Sequence, residues 1–502
     1  MDKVVIGIDL GTTFSGAAML DKSGKPTMIP NSNGKNITPS VVMIDGEKVV
    51  VGAAAKNNMF VRPDNVVDEV KRFIGSDKTY QIDGREHTPT SISSLILNKI
   101  KTDVEKYCSA TIASAVITVP ANFGNNQREA TMEAANMAGL NVDFIINEPT
   151  AAALTYAKLK GGTESGNYII YDFGGGTFDC TVAEINSDEV EVKTSEGVQK
   201  LGGKDLDAEL LNLVKQKYKD LSGNSLKATK FDLNAAERYK IDLSSLDEIT
   251  IFIDDVSIDI SKSEFEEAIS PLVDQSLMAM ESALDTLGLE FSSIEDVILV
   301  GGTSRVPFIQ ESIAKLTGKT PVLFGNPDES VALGAAIYAS KKNPEFLNIH
   351  QKEAVNSFAI GDVCTKNYGT FAIDSSTGSE KTMNSIIIRK DTRIPCSISK
   401  TYTTIVDHQE SIDCSITECV NAEADPDFVD VVGKESMALP VNCMKGERVV
   451  VTYSYNANQT MDCEFVHQKS GTKVNRQISI ALGKEETPTE ETPTEEIETE
   501  IE

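Results

Sequence analysis

Two segments of the chain repeat one short pattern: an apolar strand closing on an aspartate, then a turn of glycine and threonine, then a second apolar run. The first is Ile6-Gly7-Ile8-Asp9-Leu10-Gly11-Thr12-Thr13-Phe14-Ser15-Gly16. The second is Ile169-Ile170-Tyr171-Asp172-Phe173-Gly174-Gly175-Gly176-Thr177-Phe178-Asp179, and the paired aspartates stand 163 residues apart. Each copy reads as a β-hairpin with a glycine-rich tip. Gly11, Gly174, Gly175 and Gly176 let backbone N–H groups approach phosphate oxygens, and the threonine hydroxyls add donors. An aspartate at a strand end suits a hydrated Mg2+, which keeps several waters and needs few carboxylates. One such hairpin is also an ordinary tight turn; two at half-domain spacing, facing each other, would clamp the β- and γ-phosphates of a nucleotide between two lobes. A third glycine turn, Val300-Gly301-Gly302-Thr303-Ser304-Arg305, follows another apolar strand. Its amides would pack against a base, with the Arg305 guanidinium stacked on it.

Around these turns, residues 1 to about 340 alternate apolar runs with helical patterns, which predicts α/β architecture. Strands are expected at Val4–Ile8, Ala115–Val119, Tyr168–Tyr171 and Val297–Val300. Helices are expected over 126–138, 151–160, 208–220 and 330–339, the first followed by Gly139 as a C-terminal glycine. From about Asn384 to Ile480 the period changes to two, as in Ile412, Cys414 and Ile416 or Val449, Val451, Tyr453 and Tyr455, which predicts an all-β sandwich. The expected organisation is an α/β nucleotide-binding unit over 1–340, a polar linker over 341–355, a β-sandwich over 356–483 and a disordered acidic tail over 484–502, where Glu-Glu-Thr-Pro-Thr occurs twice.

The 502 residues carry a formal net charge of −29, which disfavours nonspecific binding to nucleic acid or anionic membrane. No stretch is long and apolar enough to span a bilayer, and Met1-Asp2-Lys3 runs directly into a strand, so the cytoplasm is the expected compartment. The 8 cysteines include no CxxC pair and there are only 4 histidines, which argues against a zinc site and against a dense disulfide framework.

Taken together, the segments resemble the DnaK-type, seventy-kilodalton heat-shock chaperone family. Further residues carry the likeness: Lys71-Arg72-Phe73-Ile74-Gly75, Ala115 to Ala121, Ile145-Ile146-Asn147-Glu148-Pro149-Thr150, Leu201-Gly202-Gly203, Glu237-Arg238-Tyr239-Lys240 and Asn326-Pro327-Asp328-Glu329. Order and spacing agree over roughly residues 3–340. The resemblance implies an actin-like ATPase of two lobes with ribonuclease-H-like repeats, binding ATP or ADP with Mg2+ and K+. It implies that Thr12 and Thr13 contact phosphates, that Asp9 and Asp172 hold Mg2+ through water, that Thr177 sits near the γ-phosphate and that Asp179 helps to bind a monovalent cation. Lys71 and Glu148 would position and polarise the attacking water. Gly202, Gly203, Glu237, Lys240, Ser244, Gly302, Arg305 and Asp328 would surround the nucleoside. Pro120 and Arg128 resemble the relay between nucleotide and partner domain.

Three departures from the family pattern bear on output. The segment between Gly75 and Ser91 is short, which puts nucleotide-exchange partners in doubt. The linker is read at Leu347-Asn348-Ile349-His350-Gln351-Lys352-Glu353, lacking the family's leucine-rich acidic sequence, and Phe144 replaces a basic residue; both put J-domain partners in doubt. Nothing after the β-region can form the family's helical lid, so fast release of bound peptide in both nucleotide states is expected. The favoured function is an ATPase whose nucleotide state switches binding of unfolded or extended polypeptide by the β-region. An actin-like scaffold or sensor with little turnover is the alternative. A small-molecule kinase of the same superfold is disfavoured because Lys71 and Glu148 fit water activation.

Overall fold

The computed structural model describes residues 3–59, 61–160, 165–186, 189–356, 359–374, 381–422, 425–456 and 460–478; the acidic tail read at 484–502 lies outside them. The sequence repeat is a repeat of topology. In the first lobe Lys3–Leu10, Phe14–Leu20 and Pro26–Ile29 form an antiparallel meander, and Thr111–Val119 and Val142–Asn147 add in parallel beside the first strand. The second lobe repeats this order with Gly166–Phe173, Phe178–Ile185 and Glu189–Val198, flanked in parallel by Ile294–Val300 and Val322–Leu323.

Between the sheets run two helices, Glu148–Lys160 and Ser330–Lys342. Their close approach depends on having no side chain at two points. A Cβ on Gly334 would lie 1.7 Å from the Ala151 carbonyl oxygen, and one on Gly7 would lie 2.1 Å from the Ala336 amide nitrogen. The strands facing these helices are apolar on both faces, as covered sheets require: Ile6, Ile8, Ile169, Ile170, Val297 and Ile298 are all buried.

Residues 341–355, read from sequence as a polar linker, hold a short turn at Pro344–Phe346 and a helix at Ile349–Asn356. Gln351 Nε2 donates to the carbonyls of Leu20 and Asp21, and Val355 is buried, so the helix is seated on the first lobe. Eight residues are too few for a helical period to show in the sequence. The extended connection comes later: Ala359–Val363 pairs in parallel with Glu189–Val198 and extends the second lobe's sheet. The departure read at Leu347–Glu353 therefore falls mostly on this helix rather than on the extended connection. Phe144, the other departure, stacks edge-on against Tyr338, with the Lys342 ammonium 5.2 Å above its ring. The short segment after Gly75 folds as a small hairpin, Tyr80–Ile82 with Arg85–His87.

Beyond lies a sandwich of two four-stranded sheets, one built from Asn367–Asp374, Lys381–Ile388, Ser411–Cys419 and Asp430–Ala438, the other from Cys396–Thr403, Arg448–Tyr455, Met461–His467 and Lys473–Ile478. Val449, Val451, Tyr453 and Tyr455 point inward as their period predicts. Along Ser411–Cys419 the alternation stops at Cys414, after which every residue to Cys419 is buried. The register shifts at a bulge between Ile416 and Thr417, Thr417 Oγ1 donates to Asn384 Oδ1 at 2.6 Å within the sandwich, and Glu418 accepts a hydrogen bond of 3.1 Å from the Asn125 amide of the first lobe. The described residues end at Ile478, so the region read as lacking a lid lies outside them; among the described residues no helix is long and apolar enough to cross a membrane. All 8 cysteines are free thiols.

Two kinds of contact seat the sandwich, and they differ in weight. Arg393 pairs with Glu189 at 2.7 Å and Glu191 at 3.1 Å while remaining 60% exposed, and such pairs contribute about 0–1 kcal/mol. Glu418 is buried against the Asn125 amide of the first lobe, and the buried Lys366 charge opposes the upward push that burial gives its carboxyl. Leaving either of two buried opposite charges uncompensated costs roughly 3–5 kcal/mol. Replacing Glu418 by Lys therefore releases the sandwich, seen as a larger radius of gyration in solution scattering, whereas Arg393→Ala leaves that radius unchanged.

Candidate functional site

The two hairpins bring their tips together at the base of a cleft of about 410 Å³. Asp9 closes the first strand opposite Gly16, and Asp172 closes its counterpart opposite Asp179. The tips touch: a Cβ on Gly175 would lie 1.9 Å from Thr13 Oγ1, so no larger residue fits there. Their carbonyls are tied away from the cleft. Ser40 Oγ donates to Gly11 O at 2.8 Å and the Ser40 amide to Thr13 O at 2.9 Å, while Gly203 N and Thr303 Oγ1 donate to Gly174 O and Lys204 N to Gly175 O. A turn whose carbonyls are engaged elsewhere can offer its amide edge to an anion.

Lys71 sits in the short helical turn Val70–Phe73, and Glu148 is the first residue of Glu148–Lys160, where a carboxylate favours the helix dipole. They form a buried ion pair in direct contact. Asp9 accepts from Thr118 Oγ1 at 3.0 Å. Burial, then the nearby Glu148 charge, pushes the carboxyls of Asp9 and Asp179 up to about 7. Burial also drives Asp172 well above the usual range, with Glu148, Asp179 and Asp9 adding to it and Lys71 opposing. Four carboxylates thus face one ammonium in a desolvated pocket, a donor set short of positive charge. Thr13 Oγ1 and Asp179 Oδ1 are buried without a partner. A hydrated divalent ion beside a polyphosphate fits this deficit, and the orphaned Asp179 oxygen suits a further cation.

At the outer end of the cleft, the helix Leu233–Leu243 carries Glu237 and Lys240, with Ser244 just past its end. Lys240 pairs with Asp207 at 2.7 Å and donates to Gly203 O at 3.0 Å. Glu237 pairs across the cleft with Lys56 of the first lobe at 2.7 Å. On the opposite wall Arg305 reaches Asp328 at 3.0 Å and Asn326 at 2.5 Å, so its guanidinium is already held as a flat plate.

Of the residues singled out from sequence for the nucleotide, its cations and the attacking water, all but Gly176, Gly202 and Asp179 line this one cavity. Gly202 packs behind the second tip, where its Cβ would lie 2.4 Å from Gly176 N, and Gly176 in turn lies against Thr12. Asp179 is fully buried beneath, against Gly197. The sequence reading missed Phe14, Lys204, Asp207, Ile241 and Thr303, which also line the cleft. Lys204 directly follows Leu201-Gly202-Gly203 and Asp207 lies three residues on, so the start of the helix Gly203–Ser222 was the signal for both.

The family model described as Hsp70 protein matches residues 5–83 and 76–501, nearly the whole chain. The chain belongs to the Hsp70 family. Its fold is accordingly an actin-like ATPase unit followed by a β-sandwich, as the sheet topology shows. Hsp70 proteins are ATP-dependent chaperones that bind ATP or ADP with Mg2+, and the acidic, glycine-tipped cleft of this member has the donor set for such a ligand.

The raised carboxyls make stability depend on pH. In the unfolded chain Asp9 and Asp179 ionise near 3.8, whereas in the folded protein they retain protons up to about 7. The folded state therefore binds more protons between about pH 4 and 7, and their contribution to stability falls as pH rises through that window. In denaturant titrations without divalent ions, parent protein should lose stability across this window more steeply than Asp179→Asn, and Mg2+ should flatten the parent's curve.

Proposed function

We propose that this protein hydrolyses ATP to ADP and phosphate in the cleft, and that the bound nucleotide switches how the sandwich holds extended polypeptide segments. The buried Lys71–Glu148 pair beside the two glycine-threonine tips carries this reading. Phosphoryl transfer to water needs positioning and charge stabilisation more than a covalent nucleophile. Gly11, Thr12, Thr13 and Gly174 to Thr177 hold the β- and γ-phosphates. Glu148 accepts a hydrogen bond from the attacking water and orients it, with Lys71 beside it to offset charge developing on the phosphoryl oxygens. Asp9 and Asp172 would hold Mg2+, which when bound would supply charge neutralisation at the phosphates. Asp179 holds a monovalent cation. Glu237, Lys240, Ser244, Gly202, Gly203, Gly302, Arg305 and Asp328 enclose the nucleoside.

A short route links this chemistry to the sandwich. Asn147 immediately precedes Glu148, accepts from Arg128 at 2.8 Å, and donates to Asp362 at 3.1 Å. Asp362 belongs to the strand Ala359–Val363 that leads into the sandwich, and Thr150 also reaches it. A shift of the helix Glu148–Lys160 with nucleotide state would therefore act on the strand that seats the sandwich.

Lys71→Ala should bind nucleotide yet release free phosphate about 10²–10³-fold more slowly, measured in single-turnover assays. An unfolded polypeptide should accelerate the parent enzyme. Hydrolysis by the variant at the parent rate would remove the proposed mechanism, and phosphorylation of a small molecule in place of phosphate release would make the protein a kinase.

A further inference from the structure

A cluster of metal-ligating side chains lies far from the nucleotide cleft, at one end of the sandwich. Cys443 and Glu447 occupy a turn, Cys443-Met444-Lys445-Gly446-Glu447, that closes through Gly446 at φ +87°. His467 ends the strand Met461–His467, which pairs with Arg448–Tyr455 directly after Glu447. His467 and Cys443 are buried. Their ligand atoms form a triangle: Glu447 Oε2 to His467 Nε2 is 3.0 Å, Cys443 Sγ to Glu447 Oε2 is 3.7 Å, and Cys443 Sγ to His467 Nε2 is 4.0 Å. Ligands around a tetrahedral zinc ion, with bonds of roughly 2.0–2.3 Å, stand about 3.3–3.6 Å apart.

We propose that Cys443, Glu447 and His467 bind a divalent transition-metal ion of the Zn2+ class, leaving a fourth position for water. The surrounding groups support it. His467 Nδ1 is engaged by Ser470 Oγ at 2.7 Å, which directs Nε2 into the triangle. Lys469 takes the other Glu447 oxygen, Oε1, at 2.5 Å, leaving Oε2 for the ion. A thiolate and a carboxylate together balance a divalent charge, and the sulfur selects against Mg2+ and Ca2+. A nucleophilic Cys–His pair is the competing chemistry, but there the acid engages the ring nitrogen opposite the thiol. Here thiol and carboxylate converge on the same nitrogen. Without an ion, His467 and the Cys443 thiol would share Glu447 Oε2 as hydrogen-bond partner, the thiol at 3.7 Å, and metal binding separates the two readings.

The ion would pin the loop that presents exposed Ile405 and Val406. Thr404 Oγ1 donates to Met444 O at 2.6 Å, Gly446 N to Thr404 O at 2.9 Å, Lys445 N to Asp407 at 2.9 Å and His408 N to Cys443 O at 2.6 Å. Metal occupancy would therefore set the order of that loop, independently of nucleotide.

The test uses the full chain, stripped by chelator and then held in Mg2+ and ADP so that the nucleotide cleft is filled. Zn2+ is titrated against a chelating dye, and Co2+ is added as a spectroscopic stand-in. One Zn2+ should bind per chain, tighter than micromolar, and Co2+ should show a thiolate charge-transfer band. Changes to groups that merely orient ligands weaken metal binding about 10–100-fold, so Cys443→Ser should lose the band and weaken Zn2+ by at least about 100-fold. Glu447→Gln should keep the band while weakening Zn2+ at least about tenfold. Both variants, being near isosteres, should retain the parent's circular dichroism. The proposal is overturned by failure of the parent to retain Zn2+, by a Co2+ spectrum without the thiolate band, or by Cys443→Ser binding at parent affinity.

Discussion

Asp9, Asp172 and Asp179 lie buried beside the Lys71–Glu148 ion pair, and the protein holds them there although burial and the Glu148 charge disfavour each as an anion. Opposed charges at that depth interact strongly, because little water screens them. The arrangement therefore persists only where rigid elements enforce it. Two strands of the duplicated sheets deliver the aspartates, a helix start delivers Glu148, and a short helical turn delivers Lys71. The close packing at Gly7 and Gly334 matters for the same reason, since it fixes the central helices against the sheets that carry the acids.

That rigidity also gives the cleft an outlet. Asn147 and Thr150 flank Glu148 and both contact Asp362, so the helix that begins at Glu148 also touches the strand entering the sandwich. A packed contact of this kind has few intermediate arrangements, because interiors transmit displacement rather than absorb it. The sandwich is meanwhile held on the lobes by buried Glu418 more than by the exposed Arg393 pairs, so its seat depends on a contact that exists only when the surfaces meet.

Much of the cleft was legible in the sequence, since its parts are local. A strand, an aspartate and a glycine-threonine turn are contiguous, and the covered sheets announce themselves as runs such as Ile169-Ile170-Tyr171. Legibility failed where a residue's surroundings come from afar. The helix Ile349–Asn356 is held by Leu20 and Asp21, more than 300 residues earlier, and is too short to show its own period. Burial past Cys414 breaks the strand's alternation because a bulge after Ile416 shifts the register, Asn384 of a neighbouring strand meets Thr417 and Cys419, and the first lobe meets Glu418. Lys204 and Asp207 follow the recognisable Leu201-Gly202-Gly203 segment, but the fold of the helix Gly203–Ser222 against the second tip is what brings them to the cleft wall.

The amino-acid order by itself determined the duplicated hairpins, the α/β class, the change to a β-sandwich and the identity of most cleft residues. These follow from backbone conformation and hydrophobic period, which operate over a few residues. Tertiary structure alone decided which residues meet. Absence of a CxxC spacing argued against zinc, yet strand pairing sets Cys443, Glu447 and His467 within 4.0 Å of one another. Spacing in the sequence reports only clusters built from one local turn, whereas a sheet brings together side chains from strands that are neighbours in space.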